Sequence, residues 1–148
     1  MTAIGKEAVA QARRWIGTPY QHQASRLGCG CDCLGLLRGI WRALYGAEPQ
    51  AVPAYTQDWD EAAQQEVLWQ AAARHLRPKP LSECAVGDVL LFRMQQGAVA
   101  KHLGLAARLG AEASFIHAYS RHGVVESPLS GAWARRIAAR FEFPERGE

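Results

Sequence analysis

The sequence has no apolar run long enough to cross a bilayer, so no membrane insertion is expected. It has no internal repeat, low-complexity tract or Gly/Ser linker either, which leaves one domain spanning residues 1–148. Neither sign of charge is in large excess. The 17 Lys and Arg against 14 Asp and Glu give a net +3, too small a surplus to suggest nucleic acid as a partner. Met1 to Gln11 carries Lys6 and Glu7 but no apolar signal core and no small-residue cleavage site. Sec-type secretion is therefore not expected, and synthesis in the cytoplasm without a signal peptide is.

Cysteine is scarce, with four residues in 148. A disulfide scaffold would be shorter and richer in cysteine. Cys29, Cys31 and Cys33 alternate, but the paired C-x2-C hooks of structural zinc sites are missing. No metal, no cofactor and reduced thiols are the expectation, with Cys84 a partly buried bystander.

What is present is the makings of a core: 49% of residues are hydrophobic and 21% charged. Residues 4–16 predict a helix with Ala8, Val9, Ala12, Trp15 and Ile16 on one face, ended by Gly17-Thr18-Pro19-Tyr20. Cys33 to Tyr45 predicts a second helix, with Asp32 at the N-cap, Gly46 as terminator and a stripe of Cys33, Leu36, Leu37, Ile40, Trp41 and Leu44. Asp58–Leu76 is a third helical candidate, stopped by Pro78 and Pro80. Strands follow. They are Val89–Phe92 after a Gly87-Asp88 turn, His102–Leu109, Ser114–Tyr119, Val124–Glu126, and an alternating segment through Ile137, Ala139, Phe141 and Phe143. Helices first and strands afterwards indicate an α+β fold, with N-terminal helices packed on a C-terminal antiparallel sheet.

Cys33 is the first candidate for chemistry. At a helix start its sulfur lies near unpaired backbone N–H groups and the positive dipole end, both of which favour thiolate over thiol. Position alone leaves two possibilities open, a nucleophile or a buried structural cysteine. His102 opens a strand and shares its face with the small Gly104 and Ala106, and His117 lies in the next strand. If those strands pair, one imidazole can activate the thiol while the other orients it. Two half-buried structural histidines remain the alternative. His22, His75 and His122 are expected to be solvated side chains.

Several segments carry a resemblance. Trp15-Ile16-Gly17-Thr18-Pro19-Tyr20, Asp32-Cys33-Leu34-Gly35-Leu36, Gly87-Asp88-Val89-Leu90-Leu91-Phe92, His102-Leu103-Gly104-Leu105 and Ile116-His117-Ala118 occur in the order found in the NlpC-type cell-wall cysteine peptidases. The chain resembles that family from about residue 4 to 143, which implies a compact papain-like fold. By the resemblance Cys33 is the nucleophile, His102 the general base and His117 the residue that orients it. Tyr20 and Asp32 would serve oxyanion or substrate positioning. The implied partner is peptidoglycan, and the implied bond is that between γ-D-glutamate and diaminopimelate in its stem peptide. Arg26, Arg121 and Lys101 are candidates to receive substrate carboxylates.

One feature departs from the family: Leu34 stands where it usually has Ser. With the His22-Gln23-Ala24-Ser25 loop and the Cys29-Gly30-Cys31 run, this form is most similar to the branch encoded with phage tails and gene transfer agents. That similarity implies a virion or tail-tip component, with other tail or baseplate proteins as partners. Cys29 and Cys31 are expected to line the loop, a regulatory disulfide being the alternative. The rival expectations for function are a structural tail-tip subunit with little activity and an acyltransferase on the same scaffold.

Overall fold

A computed structural model describes residues 3–49 and 67–146. Helix α1 (Ala3–Trp15) buries Ile4, Ala8, Val9, Ala12 and Trp15, the one-sided spacing expected of it. Ile16 falls just beyond the helix end and is 44% exposed, so it leaves that stripe. A short hairpin of β1 (Ser25–Arg26) and β2 (Gly30–Cys31) precedes α2 (Cys33–Tyr45). In α2 the buried stripe is Cys33, Leu36, Ile40 and Leu44, with Leu37 and Trp41 half-buried beside it. The backbone N–H of Gly46 donates to Arg42 O at 2.9 Å and closes the last turn. Helix α3 (Val67–His75) is the described part of the third helical candidate, whose residues 58–66 lie outside the described residues.

Six antiparallel strands form the main sheet in the order β3-β8-β4-β5-β6-β7. They are β3 (Arg77–Lys79), β4 (Val89–Phe92), β5 (His102–Arg108), β6 (Ser114–Tyr119), β7 (Gly123–Pro128) and β8 (Ile137–Glu142). Strand β3 was not expected, because Pro78 and Pro80 read as breakers. It is tolerated because β3 pairs on one side only, with β8, and an edge strand has no second partner awaiting the missing N–H of Pro78.

The two faces of the sheet have different jobs. Val89, Leu91, Leu103, Leu105, Ile116, Ala118 and Phe141 meet α1 and α2 and make the main core. Leu90, Phe92, Ala106 and Phe115 point the other way, under a short helix, α4 (Gly131–Ala134), capped by Ser130. Period-two alternation therefore sends His117, between Ile116 and Ala118, to the face away from the large helices.

Arg140 is a buried charge in the sheet. It lies on the polar side of the β8 alternation yet is only 4% exposed. Its Nη1 donates to Asp88 Oδ2 at 2.7 Å, while Lys79 Nζ donates to Asp88 Oδ1 at 3.0 Å and the Ala85 N–H to Asp88 Oδ2 at 2.9 Å. The Gly-Asp turn thus joins β3, β4 and β8 through one buried carboxylate.

Candidate active site

The segment before α2 is held by backbone bonds on both sides. Gln21 N–H donates to Cys31 O at 2.9 Å, Cys31 N–H to Pro19 O at 3.0 Å and Asp32 N–H to Ala24 O at 3.3 Å. Asp32, 2% exposed, caps α2: its Oδ1 accepts from Gly35 N–H and its Oδ2 from Gln23 N–H, each at 2.7 Å. Gly35 is needed for that closeness, because a Cβ there would overlap the Ala24 carbonyl. Ser25 Oγ donates to Gly35 O at 2.6 Å and locks the same contact. Asp-Cys-Leu-Gly is therefore a cap, a thiol at the first helical position, and a glycine that lets the loop lie against the helix.

Cys33 opens onto a cleft of about 150 Å³ lined by Tyr20, His22, Asp32, Lys101, His102 and Tyr119, among others. Of the three basic residues considered for substrate carboxylates, Lys101 lines it and Arg26 and Arg121 do not. His22, expected to be merely solvated, lines it too, with Nδ1 3.8 Å from Asp32 Oδ2.

The two strand histidines meet. His102 Nε2 lies 2.8 Å from His117 Nδ1, and His117 Nε2 lies 2.9 Å from Ser127 Oγ on β7. Aromatic rings enclose the pair: Trp133 of α4 is 5.7 Å from His102 and 5.2 Å from His117, while Phe92 and Phe115 lie 5.7 Å and 4.2 Å from them respectively. The space above Gly104 is filled by these rings, since a Cβ there would sit 2.8 Å from Phe115 and 3.3 Å from Phe92. Ser127 and Trp133 were not singled out in the sequence. Ser127 becomes visible only once the β6–β7 register, with Phe115 opposite Ser127, is known.

Burial sets the protonation states. It pushes the Cys33 thiol up to about 12, with the Asp32 carboxylate adding to the rise and the backbone N–H groups of Leu103, Leu34 and Cys33 opposing it. The lowering expected at a helix start is present in the Leu34 and Cys33 N–H groups but is outweighed. His102 is pushed down to about 3 by burial and by His117, and His117 down to about 4 by burial and by His122. The resting site holds a neutral thiol and neutral imidazoles, and the Cys33 S–H donates to Lys101 O at 3.9 Å. Tyr20 is raised to about 12 by burial, then by Cys33, Asp32 and Cys31, so it keeps its phenolic proton. Cys31 is fully buried and also raised to about 12, whereas Cys29 and Cys84 are exposed, Cys84 more so than expected. All four cysteines are free.

These shifts predict acid sensitivity. A histidine with a lowered folded pKa leaves the unfolded chain to bind the proton first, so stability is lost as pH falls below about 6.5. Between pH 6.5 and 5 the two histidines should together cost about 2–4 kcal/mol. Denaturant titrations of wild type and of a His102→Asn/His117→Asn variant at the two pH values check this, and an equal loss of stability in both proteins would refute it.

The NlpC/P60 family model matches residues 17–141. Among solved structures, the NlpC/p60 domain of the peptidoglycan hydrolase SagA superposes with a TM-score of 0.61 at 21% identity, over 94% of this chain and 98% of that one. An NlpC/P60 family protein from Bacillus cereus ATCC 10987 does so with 0.64 at 17% identity, over 94% of this chain and 40% of its own. Ly7917, solved with the hydrolysing product of MDP, gives 0.57 at 12% identity, over 95% and 63%. The chain thus spans nearly all of the SagA domain but well under half of the Bacillus protein. A search of curated proteins finds no match. The likeness to solved structures carries the papain-like fold, and the family model follows the chain from just before Tyr20 through the β8 strand: the chain belongs to the NlpC/P60 family.

Proposed function

We propose that this chain is a cysteine peptidase that hydrolyses amide bonds in peptidoglycan stem peptides. The observation that carries this is one cleft lined by Cys33 and His102, with His102 Nε2 held 2.8 Å from His117 Nδ1. Support for the substrate class comes from family membership and from the SagA domain, which belongs to a peptidoglycan hydrolase.

The chemistry follows from the protonation states. Because thiol and imidazole rest neutral, the Cys33 proton passes to His102 as the sulfur attacks the carbonyl carbon, not beforehand. The proton then goes to the leaving amine, and His102 takes one from the water that cleaves the thioester. Tyr20 O–H and the Cys33 backbone N–H are the donors assigned to the developing oxyanion. Asp32 acts through the backbone it caps, and Lys101 is placed to receive a substrate carboxylate.

The bond assigned is that between γ-D-glutamate and diaminopimelate, and the setting is a phage-like tail tip during wall penetration. Leu34, the His22–Ser25 loop and the Cys29-Gly30-Cys31 run support that setting. Mass spectra of muropeptides after incubation test both bond and reaction type. New diaminopimelate amino termini agree with the proposal, cleavage elsewhere overturns the bond, and products capped by an added amine point to acyl transfer. Finding the chain in purified tail particles supports the setting, and its absence from them contradicts it. The buried, neutral thiol is the one observation that favours a low-activity structural subunit, for which wild type would release nothing.

A further inference from the structure

The hydrogen bonds leading away from the cleft end at a hydroxyl. His102 Nε2 is 2.8 Å from His117 Nδ1, and His117 Nε2 is 2.9 Å from Ser127 Oγ. Each neutral imidazole has one N–H and one lone pair, so this row of three groups runs in one of two directions. In the first, His117 Nε2–H donates to Ser127 Oγ, His102 Nε2–H donates to His117 Nδ1, and His102 Nδ1 keeps its lone pair. In the second every bond is reversed, and His102 Nδ1 carries a proton and is useless as a base. The histidine pair alone does not choose between them.

Ser127 does. It sits on β7, an edge strand of the sheet, and is half-buried. Its own O–H can therefore turn to solvent and leave the oxygen to accept from His117. His117, by contrast, is fully buried, so without the serine oxygen the first direction leaves its Nε2–H unpartnered, whereas the second leaves only a bare lone pair. We infer that Ser127 is a positioning residue that sets the tautomer of both histidines, and so keeps His102 Nδ1 unprotonated toward the Cys33 thiol. The tautomer assignment stands on this geometry; its catalytic consequence rests on the hydrolase function proposed above.

The order of groups accounts for the proton at each stage. When Cys33 attacks, its proton moves to His102 Nδ1 and the charge spreads through the His102 Nε2–H bond to His117. Nothing needs to leave Ser127. The imidazolium then returns the Nδ1 proton to the leaving amine.

Proton–nitrogen correlation spectra of the imidazole side chains read the tautomers directly. In wild type at neutral pH both His102 and His117 should be Nε2–H tautomers. In Ser127→Ala both should become mixtures, and kcat for wall cleavage should fall roughly ten- to a hundred-fold with KM little changed. Ser127→Thr, which keeps the hydroxyl, should restore the single tautomer and most of kcat. A wild-type Nδ1–H form of His102, or unchanged tautomers in Ser127→Ala, overturns the inference. A tautomer change in a protein that never cleaves peptidoglycan supports the inference and removes only the hydrolase function.

Discussion

Replacing Cys33 with Ala is expected to remove amide hydrolysis, lowering kcat on the order of 10⁵-fold or more. Replacing His102 with Ala should cost nearly as much, and the double variant should be little worse than either single one. The reason is that in the proposed mechanism thiol and imidazole act as one unit. A neutral thiol raised to about 12 is a poor nucleophile until His102 takes its proton, and His102 has nothing to activate once the sulfur is gone. Steady-state assays on a soluble stem-peptide substrate check this. Effects that simply multiply, or a loss under ten-fold at Cys33, contradict it.

The second large effect is on stability and lies at the other end of the sheet. Asp88→Ala should destabilise the fold by about 3–5 kcal/mol. The substitution leaves the Arg140 guanidinium, 4% exposed and bonded to Asp88 at 2.7 Å, as a buried charge without its anion. Lys79 Nζ loses its 3.0 Å partner as well. The same carboxylate anchors the start of β4, whose last residue, Phe92, pairs with His102 across the sheet. Loss of Asp88 therefore loosens a strand that ends beside His102. Urea denaturation of wild type and variant measures the effect, and a change below about 1 kcal/mol would show that the charges re-solvate.

Much of this architecture was legible in the sequence, because it is written in short-range pattern. The α2 stripe, its Asp32 cap and its Gly46 terminator were all predictable from spacing. So were the positions of β4, β5, β6 and β8, to within about two residues. Even the His102–His117 contact followed from supposing that their strands pair. What escaped depends on register or on burial, which no local pattern carries. Ser127 matters because β6 and β7 align Phe115 with Ser127 and so bring the hydroxyl diagonally to His117. Trp133 matters because a four-residue helix folds back over the histidines. Arg140 alternates with apolar neighbours, a pattern that carries no sign that Asp88 holds it inside. The thiol illustrates the limit most clearly: its helix-start position argued for a lowered pKa, and the depth of its burial reverses the sign.

The most direct test of the central claim is the release of new amino termini from purified peptidoglycan by the wild-type chain and by Cys33→Ala under identical conditions. Release by wild type that vanishes in Cys33→Ala is the predicted result. No release by wild type, or equal release by both, contradicts a cysteine peptidase centred on Cys33.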